Sequence, residues 1–259
     1  MDIIKRLNSD YEYLTSLGYE VFGVYLQGSQ NYKLDYEGGD IDTKAIILPS
    51  FEDVVLNKKP VSTTIILESG EHLDVKDIRL MFENFRKQNI NFLEILFTEY
   101  YVFNEKYKKE NMLLRENNEA IAHYNNFLSV KCIAGMAMEK YKAMEHPYPT
   151  LKWKIDKWGY DSKQLHHILR CAEFLKRYIN GISYTECLIP TDIPYLLSVK
   201  KCPPRYSLTE AREIATETIE EIRKIEKFYL ETNDIHIDHS VEELLNDVVT
   251  KCLKIYWGD

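Results

Sequence analysis

The chain has 259 residues, enough for one large domain or two small ones. Its hydrophobic fraction of 45% allows a sizeable core, and no apolar run approaches the ~20 residues that a membrane-spanning helix needs. A formal net charge of −8 excludes broad coating of nucleic acid, while a local basic groove, or a small substrate carrying its own metal, stays open. Five scattered cysteines without a C-x-x-C pair make no zinc site. With a first segment that lacks a signal-peptide pattern, they point to reduced thiols and a cytoplasmic protein.

Apolar residues at Ile3, Ile4, Leu7, Tyr11, Leu14 and Leu17 have helical spacing, and Gly18 is a stop signal, so residues 2–17 are expected to form a helix. Val21–Leu26 is β-branched and aromatic and runs into Gly28-Ser29, which predicts a buried strand ending in a tight turn. Ser29 is expected to open a short helix, where backbone amides and the helix dipole favour an anion. Asp40-Ile41-Asp42 then enters a second buried strand, Ala45–Leu48. On a strand Asp40 and Asp42 share one face and Ile41 takes the other. Two carboxylates there call for a positive partner, and a divalent metal carrying a polyphosphate fits the need.

After a loop and short helix start near Phe51, Val61–Leu67 and His72–Val75 read as two further strands joined by the turn at 68–71. Asp74 shares a face with His72, and Asp77 reads as a helix N-cap before the helical patterns of Ile78–Phe85 and Phe92–Phe97. Tyr100–Phe103 is either a last strand or a helix end. The pattern loosens over 104–109, which sets the expected boundary between a domain at 1–105 and a helical domain at 106–259.

In the second half, helices are expected over 111–124 and 126–144, followed by a break at His146-Pro147-Tyr148-Pro149. The basic, aromatic stretch Lys152–Lys157 reads as a loop or short strand, either packed on the core or touching substrate. Residues 161–178 form a helix capped by Asp161 or Ser162. On it Lys163, His167 and Arg170 fall at four- and three-residue steps and share a face. Such a stripe grips polyphosphate or RNA phosphates, or is simply a solvated cationic face; His166, one position off, reads as structural. Ser207 to Glu210 is a capping box that opens a helix to about Leu230, and a last amphipathic helix spans 241–256.

Gly28-Ser29, Asp40-Ile41-Asp42 and the strand carboxylate Asp74 resemble the nucleotidyltransferase domain of the DNA polymerase beta superfamily. GSQNYKLDYEGGDIDTKAIIL and HLDVKDIRLMFENFRKQNINFLEILF resemble its RNA-repair-pathway branch, the predicted nucleotidyltransferases of phages and bacteria. The K-x-x-x-H-x-x-R run at 163–170 is similar to a helix of the same proteins. The pattern departs at Lys33, where many relatives have glycine, and at Gly39, where serine is usual.

The resemblance implies an α+β fold, a small mixed sheet with flanking helices followed by an all-helical domain. It implies phosphate contacts from Gly28 and Ser29, and ligation of two Mg2+ ions (or Mn2+) by Asp40, Asp42 and Asp74, the last also assisting the acceptor hydroxyl. An NTP with magnesium is expected in the cleft between the halves, with Lys163, His167 and Arg170 contributing to nucleotide binding. The expected reaction is transfer of NMP from the NTP to an acceptor hydroxyl, with an RNA or tRNA 3′ end as one acceptor. Transfer to a protein or small molecule, and a nucleotide-binding module without turnover, are the alternatives.

Overall fold

The computed structural model describes residues 2–36 and 39–258; Glu37 and Gly38 of the expected loop lie outside the described residues. The chain divides into two compact units, Met1–Asn125 with Ile237–Asp259, and Asn126–His236. The fold is α+β, as expected, with one mixed sheet and many helices. The boundary lies about twenty residues beyond the expected one, and the last helix counts with the sheet. The reason is packing: the helices just after residue 105 and the C-terminal helix cover the sheet unit rather than the helical one.

The first unit begins with α1 (Ile3–Ser16), capped by the Asp2 side chain on the Ile4 amide. Gly18, at φ +85°, lets the chain turn out of the helix with the Gly18 amide on the Thr15 carbonyl. β1 (Glu20–Leu26), β2 (Thr43–Leu48), α2 (Phe51–Val55), β3 (Ser62–Ile66), β4 (His72–Asp77), α3 (Ile78–Arg86), α4 (Ile90–Leu93) and β5 (Tyr101–Phe103) follow. Two short helices, α5 (Lys108–Glu116) and α6 (Asn118–Ala122), stand where one was expected, interrupted at Asn117. The sheet order is β3-β4-β2-β1-β5. Among the described residues β2 and β4 pair in parallel, and the other strand pairs are antiparallel.

The two sheet faces differ in chemistry because side chains alternate. One face carries Val21, Val24, Ala45, Ile47, Leu73 and Val75, packed with Leu7 and Leu14 of α1. The other carries Tyr25 opposite Lys44, and Lys44 opposite Asp74. Gly23 is required there, since a Cβ would lie 2.6 Å from the Tyr25 hydroxyl.

The second unit contains α7 (Asn126–Ala143), α8 (Lys152–Trp158), α9 (Ser162–Ile179), α10 (Tyr184–Leu188), α11 (Ile193–Lys200) and α12 (Leu208–Thr232). The chain then returns to the first unit as α13 (His239–Trp257). Lys152–Trp158 is a helix and not the expected loop or strand; Gly159, at φ +83°, closes it. α9 is the hub of this unit and packs against α7, α10, α11 and α12. No helix of the described residues is long and apolar enough to cross a membrane.

Candidate functional site

β1 ends at Leu26 and the chain makes a 3-10 turn over Ser29–Tyr32, with Gly28 at φ +89°. That backbone conformation belongs to glycine, and it turns the strand end into the loop. The Gly28 amide donates to Glu94 Oε1 at 3.2 Å, and the Asn31 side-chain amide donates to the Leu26 carbonyl at 2.9 Å. Lys33 closes the turn at φ +59°, a left-handed position where a glycine costs nothing.

The loop returns at Asp40-Ile41-Asp42. Asp40 is exposed, Ile41 is buried and Asp42 is half-buried, so the carboxylates face away from the core while the isoleucine anchors the segment. Gln30 donates to the Asp40 carbonyl at 3.2 Å, and the Gln27 amide to the Asp42 carbonyl at 3.0 Å, tying both ends of the loop together.

Ile41 is held by side chains through both of its backbone groups. Its carbonyl accepts from Arg6 Nη1 at 2.8 Å, and its amide donates to Glu71 Oε1 at 3.0 Å. Arg6 also pairs with Glu71 Oε2 at 2.6 Å and with both oxygens of Asp10 at 3.0 Å. Asp10 accepts in turn from the Thr43 hydroxyl at 2.5 Å. Burial pushes the Glu71 carboxyl up, but the bonds from Ile41, Ser69 and Arg6 outweigh it and hold Glu71 below the usual carboxylate range.

The parallel register pairs Thr43 with Leu73 and Lys44 with Asp74. Residues paired across a ladder share a face, so Asp42, Lys44, His72 and Asp74 lie on one side of the sheet. Asp42 Oδ1 accepts from the His72 amide at 3.0 Å and lies 3.2 Å from His72 Nδ1. Asp74 Oδ2 binds Lys44 Nζ at 2.8 Å, while Oδ1 faces Lys76 Nζ at 3.0 Å and the Thr64 hydroxyl at 3.3 Å. Burial raises the Asp74 carboxyl, yet the two lysines outweigh it and keep Asp74 ionised. Burial lowers the Lys44 ammonium, which also sits 3.9 Å from the centre of the Phe92 ring.

Asp42 and Asp74 are thus brought to the same face, and Gln30 links the Gly28-Ser29 turn to Asp40. The three aspartates are not gathered around one point: among the described residues no group of three or more His, Cys, Asp or Glu is placed to hold a metal ion. Asp40 and Asp42 offer hard oxygens open to solvent, a set that suits one cation keeping most of its waters. Asp74 has both oxygens committed to ammonium groups.

Lys163, His167 and Arg170 lie on α9 in the second unit. Lys163 is exposed, while His167 and Arg170 are half-buried. Burial lowers the His167 imidazole well below its ordinary range, and His166, Arg170, Lys163 and Lys140 push in the same direction. His166 is buried and its Nδ1 lies 2.9 Å from the Leu196 carbonyl, a structural bond to α11.

The residues that sequence reasoning missed are Arg6, Asp10, Glu71, Lys44 and Glu94. Signals existed for some. Asp10 interrupts the apolar stripe Ile3, Leu7, Leu14, with Arg6 one turn before it, and Glu94 is a lone carboxylate inside the apolar run 92–97. Glu71 looked like an ordinary turn residue.

No family model matches the chain, and no curated protein matches it. Among solved structures it superposes on a nucleotidyltransferase-like protein from Exiguobacterium sibiricum. That match has a TM-score of 0.33 and 10% identity, over 86% of this chain and 75% of that one. A likeness this loose decides neither family nor activity.

Proposed function

We propose that this protein is a nucleotidyltransferase that moves NMP from an NTP to an acceptor hydroxyl. The observation that carries the reading is the β2–β4 register, which pairs Lys44 with Asp74, together with the bond from the His72 amide to Asp42, the residue just before β2. Asp40 and Asp42 would hold a Mg2+ or Mn2+ ion. Asp74 joins them as a third ligand, for a second ion, only where its bonds to Lys44 and Lys76 are exchanged for that ion. Bound there, the cation supplies neutralising charge at the phosphates.

The chain's own residues then do the positioning. Ser29 contacts phosphate from the 3-10 turn, and the Gly28 amide joins it where its bond to Glu94 Oε1 is given up. Asp74, kept ionised, accepts the hydrogen bond of the acceptor hydroxyl and orients it for in-line attack. Lys163, His167 and Arg170 are assigned to phosphates of the NTP or acceptor, Lys as a point charge and Arg as a fork. An RNA or tRNA 3′ end is the acceptor we favour; a protein or small molecule carrying a hydroxyl is the other.

A second reading rests on the double lysine contact to Asp74, which neutralises the third carboxylate and favours nucleotide binding without turnover. One experiment separates them. The protein is incubated with α-labelled NTPs, Mg2+ or Mn2+, and RNA, protein or no acceptor. Label in RNA or polypeptide identifies the transferase and its acceptor. Tight NTP binding without transfer identifies the module, and absence of both binding and transfer overturns the proposal.

A further inference from the structure

We propose that Arg6 and Glu71 are positioning residues that aim the Asp40–Asp42 pair by gripping the peptide groups of Ile41. The inference rests on the assignment of those two carboxylates in the preceding section.

Strand geometry alone does not fix this segment. Asp40 and Ile41 precede β2, whose ladder begins at Thr43. A free chain end next to a strand would leave the two carboxylates in many orientations. Here the segment is clamped from both sides of one residue: Arg6 Nη1 on the Ile41 carbonyl at 2.8 Å, and Glu71 Oε1 on the Ile41 amide at 3.0 Å.

The two grips are bonded to each other, Arg6 Nη1 to Glu71 Oε2 at 2.6 Å, so they form one closed unit. Each is itself fixed. Asp10 holds Arg6 Nε with both oxygens, and Ser69 donates to Glu71 Oε2 at 2.8 Å. Arg6 is 3% exposed and Asp10 2%, so the clamp is built into the core and not laid over it. Its parts come from α1, the β3–β4 turn and the entry of β2, three places that meet only in the folded sheet.

A clamp on the residue between two metal-binding carboxylates acts on their separation. Loss of it should weaken cation binding and slow transfer while leaving nucleotide contacts made elsewhere intact. Glu71→Ala removes the grip on the Ile41 amide and leaves Arg6 paired with Asp10. Glu71→Gln keeps an acceptor for that amide but sets an NH2 donor against Arg6 Nη1, so it isolates the grip on the Ile41 amide from the link between the two grips.

The test uses the full chain. Hydrogen exchange at the Ile41 amide and Mn2+ affinity by electron paramagnetic resonance are measured with kcat and KM. Glu71→Ala is expected to speed Ile41 exchange at least tenfold, weaken Mn2+ about tenfold and lower kcat with little change in the KM for NTP. Glu71→Gln is expected to restore the slow Ile41 exchange and to leave Mn2+ affinity and kcat between those of the parent and of Glu71→Ala. Arg86→Ala, which breaks the ion pair to Glu242 away from the site, is the matched control and should change none of them.

Unchanged Ile41 exchange and Mn2+ affinity in a folded Glu71→Ala protein would overturn the proposal. If that variant fails to fold, Arg6→Lys carries the same test, since an ammonium cannot fork to Ile41, Glu71 and Asp10 together. A wild-type chain that neither binds Mn2+ nor transfers label would defeat the assignment of the site. Ile41 exchange in the variants would still decide whether the clamp exists.

Discussion

An asparagine at position 42 keeps a carbonyl oxygen for the His72 amide hydrogen and loses only the charge. Asp42→Asn is therefore expected to fold and melt like the parent while transfer falls by about 10²-fold or more, checked by label incorporation and thermal melting. Retained turnover would remove Asp42 from the chemistry. Lys163 is an exposed point charge on the second unit, and Lys163→Ala should raise the KM for NTP several-fold with kcat unchanged. An unchanged KM would assign that stripe to the acceptor or to solvent. At this scale the sequence announces local geometry, such as the Gly28 turn and the alternation of exposed Asp40 with buried Ile41. It hides Arg6 and Glu71, because the contacts that define them join residues 35 and 65 positions apart.

Among the elements, α9 shows how a cap and a buried histidine set a helix in place. Asp161 is fully buried, accepts from the Lys163 amide at 3.3 Å and from the Gln164 side chain at 3.0 Å, and pairs with Lys154 of α8 at 2.9 Å. Asp161→Ala should cost about 2 kcal/mol, read from urea unfolding. His166 carries a pH signature. Burial lowers its imidazole to about 4, with Lys200, Arg170 and Lys163 adding to the effect against the bond to Leu196. Its folded value lies below the unfolded value of 6.5, so the unfolded chain takes up the proton first. Its contribution is complete above pH 6.5 and drains away as the pH falls towards 4, on the order of 3 kcal/mol in all. Urea midpoints at either end of that window should differ in the parent, and the difference should shrink in His166→Asn.

Long periodic helices such as α9 and α12 were legible in the sequence because many turns repeat one pattern. α8 was not. Its seven residues lie between the prolines at 147 and 149 and Gly159, too few to show a helical period against two tryptophans and three lysines. β5, three residues long, left strand and helix end equally open, and its pairing with β1 decides the matter.

For the molecule as a whole, the two compact units are Met1–Asn125 with Ile237–Asp259, and Asn126–His236, beside the expected 1–105 and 106–259. A loosening of pattern near residue 105 marks the end of a sheet, but a sheet needs cover: α5 bonds to β1 through Asn111, and α13 packs on β2 and α3. α13 buries Val241, Leu245, Val248 and Cys252. At about 1.5–3 kcal/mol for each large apolar side chain, that cover is comparable with the ~5–15 kcal/mol net stability of a whole domain. Removal of residues 237–259 should therefore abolish the cooperative melt of the sheet unit, followed by circular dichroism, even though no proposed site residue is touched.

Asn125 and Ile237 form a β-bridge, and the Asp238 amide donates to the Tyr124 carbonyl, so the polypeptide leaves the sheet unit and re-enters it at the same spot. A nascent chain extruded from the ribosome in sequence order then has every strand in hand long before the piece that seals them. The helical excursion can fold while the sheet still waits with its apolar flank open. Splicing position 125 to position 237 through a short turn would let the sheet finish in a single pass.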